Sequence, residues 1–144
     1  MLQRIQTIYL LLAAVLTIAA MCLPLATLYT NGILTGTAYA LGVNLQPGVM
    51  SIVSFVLFGL STAILLINIF QFKHRPLQIK FCIVAELLLL VATLLIAYAI
   101  YTTGLEMRPT VFASFPVVAI VLTIMASSRI KHDERLVRSA DRLR

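Results

Sequence analysis

Glu86 is the side chain in this sequence whose type and setting together suggest chemistry. It is the only Asp, Glu, Lys, Arg or His between Phe81 and Tyr101, in a stretch built mainly of Leu, Ala, Val and Ile. A carboxyl group set in hydrocarbon costs about 3 kcal/mol on insertion scales, so such a residue is a candidate site by default. Glu86 lies six residues past Lys80, which at 1.5 Å per residue puts it about 9 Å inside the interface that Lys80 marks. Similar spacing from other basic flanks brings Asn68, Tyr9 and Thr123 to that depth, so the four form a candidate intramembrane polar layer. In a structural role, protonated Glu86 bonds to Asn68 or a backbone carbonyl and holds helices together at about 0.6 kcal/mol per contact. In a transport role, Glu86 passes a proton or cation, but a relay needs a second charged station deeper in, and the sequence supplies none. The structural role is the expectation.

Other reactive residue types lead nowhere. Cys22 lies 18 residues beyond Arg4, and Cys82 two beyond Lys80, so they fall near opposite interfaces and cannot form a disulfide, which needs Cα atoms within about 7 Å. The two histidines, His74 and His132, show no metal-ligand spacing. His132-Asp133-Glu134 reads as a solvated charged face. No glycine-rich phosphate loop or serine elbow occurs. The expectation is a non-enzymatic chain with no cofactor, no metal and no catalytic residue.

The elements that position these residues follow from composition. Of 144 residues, 61% are hydrophobic and 11% charged, with a mean hydropathy of +1.04. Soluble chains carry about 45–50% apolar and about 25% charged residues, so the excess here calls for a lipid solvent. After Arg4 the next charged residue is Lys73. Turn chemistry divides the chain into apolar runs of about 5–28, 49–72, 77–102 and 110–128, each close to or longer than the ~20 residues that cross a ~30 Å core. The runs exceed barrel-strand length and are apolar on all faces, so they are helices, which satisfy their own backbone groups. Pro76 and Pro109 fit first turns of helices, and Pro116 predicts a kink early in the fourth helix. The fold class is all-α: a single-domain integral membrane four-helix bundle, residues 1–144.

Ten of the eleven Lys and Arg residues fall on the first, third and fifth non-membrane segments, and only Arg108 on the opposite side. The positive-inside rule then puts both termini in the cytoplasm and loops of about 29–48 and 103–109 outside. The formal +6 charge suits anionic lipid headgroups, not nucleic acid. The first run is too long for a signal-peptide core, and Met21 spoils a lipoprotein-type site before Cys22, so that run is expected to stay as a helix. Gly59 with Ala63, and Thr93 with Ala97, are helix-packing candidates at small-x-x-x-small spacing. The tail, residues 129–144, keeps helical periodicity with its apolar stripe and basic flank. It either extends the fourth helix or lies on the membrane. Arg129, Lys131, Arg135, Leu136, Val137, Arg138 and Leu143 are its docking candidates for a protein partner, a second copy or anionic lipid.

Three stretches carry a resemblance: the opening Met1-Leu2-Gln3-Arg4-Ile5-Gln6-Thr7-Ile8-Tyr9-Leu10, the connection Lys73 to Cys82, and the close from Ile130 to Arg144. Together they resemble the DUF4293 family, small four-span inner-membrane proteins of Bacteroidota with a domain of unknown function. The resemblance implies location and topology and carries no activity. In the family's pattern an uncharged polar residue such as Asn often stands where this chain has Glu86, which weighs against an essential proton carrier. The expected function is therefore an accessory or scaffold subunit that docks through its basic cytoplasmic face. The alternative is a small transporter or channel using Glu86.

Overall fold

The computed structural model describes residues 2–44, 48–71 and 75–142. Four helices dominate it: α1 (Leu2–Cys22), α2 (Val49–Phe70), α3 (Arg75–Tyr101) and α4 (Phe115–Arg142), the last preceded by a 3-10 turn at Val111–Ser114. All four are long and apolar enough to cross a membrane. The 22 residues of α2 alone span about 33 Å. Each helix packs on two neighbours, α1 on α2 and α4, and α3 on α2 and α4, which closes a four-helix ring.

The buried stripes explain the packing. On α2 they run Ser51, Ser54, Phe58, Ser61, Leu65, Asn68, and on α4 Pro116, Ala119, Thr123, Ala126, Ile130, Asp133. Steps of three and four residues keep one face toward the partners. That face carries the small and polar residues, while Ile52, Val53, Val56, Leu60, Leu66 and Ile67 of α2 are exposed. A soluble helix shows the reverse. Lipid offers no hydrophobic gain from hiding leucine, so small residues that permit close approach line the interfaces instead. Several buried hydroxyls spend their donors on their own helix. Thr62 Oγ1 donates to the Phe58 carbonyl at 2.8 Å and Thr123 Oγ1 to Ala119 at 2.8 Å.

The two connections expected to be loops form a sheet, which the all-α reading did not foresee. β1 (Ala26–Thr30), β2 (Ile33–Tyr39), β3 (Gly42–Val43) and β4 (Glu106–Pro109) make an antiparallel sheet in the order β3-β2-β1-β4. α1 therefore stops at Cys22 instead of continuing to about residue 28, and Pro109 closes a strand instead of opening a helix. The β1–β2 turn is Asn31-Gly32, both at positive φ (51° and 79°), the pairing that a tight hairpin turn requires. A bulge between Leu28 and Tyr29 leaves Thr35 as the extra residue of β2. Ala26, Leu28 and Ala38 on the inward face are buried. On the other face the Arg108 guanidinium stacks 4.8 Å from the centre of the Tyr29 ring. Thr110 ties the start of the α4 segment to β1, its N–H donating to the Leu25 carbonyl at 3.0 Å.

Two further expectations change. Pro116 is the second residue of α4, where the N–H lost to proline has no partner to lose, so it starts the helix without kinking it. The tail is resolved in favour of extension, because α4 runs unbroken to Arg142.

Asn44 packs over Gly36: a Cβ there would lie 2.4 Å from the Asn44 carboxamide oxygen, which accepts the Thr37 N–H at 3.0 Å. Gly36→Ala is expected to break that bond and to lower unfolding stability by about 1 kcal/mol. The check is denaturation in detergent together with the amide resonances of Thr37 and Asn44. Unchanged resonances would contradict the packing.

Candidate functional site

The sequence offers few groups able to act, and the bundle gathers most of them toward the end where α1 begins and α4 ends. Gln6 on α1 and Asp133 on α4 are both buried, and the Gln6 carboxamide donates to the Asp133 carboxylate. This corrects the reading of His132-Asp133-Glu134 as a solvated face. Three residues beyond buried Ile130, Asp133 continues the inward stripe of α4, while His132 on one side of it is exposed.

A second clasp joins α2 to α3. Asn68 Nδ2 donates to the Gln78 carbonyl at 3.2 Å and to Cys82 Sγ at 3.1 Å, and Gln78 Nε2 donates back to the Asn68 carbonyl at 3.3 Å. Two turns further along, Ser61 Oγ donates to the Ala85 carbonyl at 3.1 Å. Asn68 Oδ1 is buried with no partner among the described residues. Leaving an acceptor unpaired costs about 1–3 kcal/mol, so the bonds made by Nδ2 carry the stabilisation of this side chain. Asn68, one of the two kinds of partner weighed for Glu86, makes these bonds instead.

The remaining candidates are placed as follows. Glu86 is half-buried on α3, one heptad before Thr93. Lys131 on α4 is exposed. Tyr9 packs half-buried against the core, and Thr123 is buried and bonded within its own helix. Gly59 is half-buried, and a Cβ there would sit 3.9 Å from Met21 Cε of α1. Ala63, the other small residue of that pair on α2, is exposed. Thr93 and Ala97 line an apolar cleft of about 140 Å³ with Pro116, Ala113, Met107 and Ala26 at the sheet end. A larger cleft of about 500 Å³ lies between the sheet and the start of α2, lined by Asn44, Ser51 and Thr103 among others. Glu86 lines neither cleft. Cys22 is exposed and Cys82 buried.

The docking candidates Arg129, Lys131, Arg135 and Leu136 are exposed on α4. The side chains of Val137 and Arg138, and Leu143 altogether, lie outside the described residues. Lys80 at the start of α3 is exposed at this same end, whereas Arg108 lies on the sheet. Among the described residues no group of three or more His, Cys, Asp or Glu side chains is arranged to hold a metal ion.

Gln6, Gln78 and Asp133 were missed as site residues. Their signal was the seven-residue repeat that puts each on the buried stripe of its helix, not the local composition around them.

A helical membrane-protein class is thus defined by four spanning-length apolar helices with polar clasps between them. The chain belongs to the DUF4293 family, a domain of unknown function whose model matches residues 2–143. Comparison with curated proteins finds no match.

Because Asp133 is buried against Gln6, Gln6→Leu leaves a buried carboxylate without its amide donor and is expected to cost about 1–3 kcal/mol. Glu86→Gln, at a half-buried position outside both clasps, is expected to change stability by less than about 0.5 kcal/mol. Unfolding in mixed detergent micelles measures both, and the reverse order would refute the assignment of the clasp.

Proposed function

We propose that this chain is a non-enzymatic accessory or scaffold subunit of a bacterial inner membrane, with both termini in the cytoplasm. Its basic end docks a partner protein or anionic lipid. The observation that carries the reading is the continuous α4. It passes from its apolar segment into a stretch where Arg129, Lys131, Arg135 and Leu136 are all exposed. Three cations on one rigid helix, with Lys80 exposed at the same end, make a positive surface that attracts acidic partners and anionic headgroups at about 1 kcal/mol per residue near a charged membrane. The orientation rests on the same asymmetry, since basic residues concentrate on the cytoplasmic side of membrane proteins.

The competing reading is a small proton or cation transporter built on Glu86. It draws on Glu86 itself, a half-buried carboxyl residue within the apolar α3. A relay needs a second charged station deeper in the spans, and the sequence supplies none.

Purification in mild detergent tests docking. The wild-type chain is expected to carry a stoichiometric, identifiable partner or tightly held phosphatidylglycerol. A variant with Arg135→Glu and Leu136→Asp, folded as judged by its melting temperature, is expected to lose it. Identical cargo on both chains would overturn the docking surface. A proton flux in reconstituted vesicles that Glu86→Gln abolishes would put the transporter in its place.

A further inference from the structure

The sheet end of the bundle holds a cleft that neither the clasps nor the basic end explains. Its volume is about 500 Å³, within the roughly 300–1,000 Å³ of ligand pockets. One wall is the start of α2, from Gly48 to Ser51, and the other is the end of α3 with Ala99, Thr102 and Thr103. Val43 and Asn44 close it on the sheet side.

The α2 wall offers donors. The first N–H groups of a helix have no acceptor within it, and the N-cap, Gly48, supplies no side-chain bond. Ser51 is 6% exposed, yet its hydroxyl makes no hydrogen bond among the described residues. Ser54 and Ser61 on the same helix each donate to a carbonyl. Ser51 Oγ lies 3.8 Å from where a Gly48 Cβ would stand, so it sits at the first turn beside the open N–H groups. Asn44 spends its carboxamide oxygen on the Thr37 N–H, which leaves its amide hydrogens to the cleft. The α3 wall offers acceptors. Thr102 and Thr103 Oγ1 donate to the Ala99 and Ile100 carbonyls at 2.8 and 2.7 Å, so only their lone pairs remain for a ligand. The positive pole of α2 and the negative pole of α3 thus meet in one cleft. Positions 43–51 and 99–103 include no Asp, Glu, Lys, Arg or His. The site is polarised but carries no net charge.

We propose that this cleft holds the headgroup of a zwitterionic phospholipid. Its phosphate sits on the N-terminus of α2 and the Ser51 hydroxyl, and its ammonium at the end of α3. Helix N-termini are ready-made phosphate sites, and a headgroup with no ammonium leaves the α3 pole unmatched. The occupant is a lipid because of where the cleft lies. The spanning-length segments Val49–Phe70 and Pro76–Tyr101 both end there, at the depth of headgroups. Val49 and Met50 are exposed beside it, giving acyl chains an apolar surface to follow. The proposal is independent of what the basic end docks.

Amide NMR of the full chain in dodecyl maltoside, titrated with dihexanoyl phosphatidylethanolamine, tests it. The expected result is a saturable shift of the Val49, Met50 and Ser51 amides, with cross-relaxation from the ethanolamine methylenes to the Thr102 methyl. Ser51→Ala is expected to weaken binding about tenfold, the loss of one hydrogen bond to a charged group. Thr62→Ala on the same helix, where the hydroxyl bonds to its own backbone, is expected to leave binding unchanged. The wild-type titration decides the matter even where a variant fails to fold. Absence of a saturable shift, or unchanged affinity of a folded Ser51→Ala chain, overturns the proposal. So does equal affinity for dihexanoyl phosphatidylglycerol, which would remove the ammonium from the site. Equal affinity for free phosphoethanolamine would put a soluble solute in the lipid's place and overturns it too.

Discussion

In hydrocarbon a polar group has no water to fall back on, and this constraint shapes the whole structure. Backbone groups are satisfied by running each crossing as a helix. Side-chain groups are turned inward, where Ser54, Thr17, Thr62 and Thr123 bond to carbonyls one turn back. Gln6, Asn68 and Gln78 reach a neighbouring helix instead. Many leucine, isoleucine and valine side chains cover the outside, while Leu10, Phe58, Leu65, Leu89 and Ile130 pack inside among the buried alanines. The bundle is thus held by a small apolar core, by close approach of small residues and by a few directional bonds.

The sheet follows from the same constraint at the other end. Where α1 stops at Cys22, the chain must satisfy backbone groups next to the end of the bundle, and it does so by pairing β1 with both β2 and β4. The pairing joins two connections far apart in sequence. It also places Ala26, Leu28 and Ala38 as a small, apolar underside against the helices. Arg108 over Tyr29 adds about 0.5–1 kcal/mol of cation–π attraction on the exposed side.

Helix number and order were legible because an apolar run of about twenty residues has one reading in lipid. The strands were legible only in part. Asn31-Gly32 between alternating residues is a hairpin signal, but it also serves as a plain divider between helices. β4 is four residues, Glu106–Pro109, with no pattern of its own, and it exists because β1 offers an edge. Asp133 looked solvated because charged neighbours flank it, and only the spacing from Ile130 and Ala126 puts it inside. Asn68 is buried, yet its partners, Gln78 and Cys82, depend on which helix faces meet. No local window encodes that. The Pro116 kink failed for a simpler reason: the helix begins one residue before it.

The account as a whole requires that the sheet and the two chain ends lie on opposite sides of one bilayer. Substituted-cysteine labelling tests this most directly, with Cys22 replaced by Ser and a thiol reagent that cannot cross membranes applied to intact spheroplasts. Asn31→Cys at the hairpin tip should react at once, and Arg135→Cys on α4 only after the membrane is broken. Equal reactivity of the two sites from outside, or the opposite order, would contradict the proposed topology.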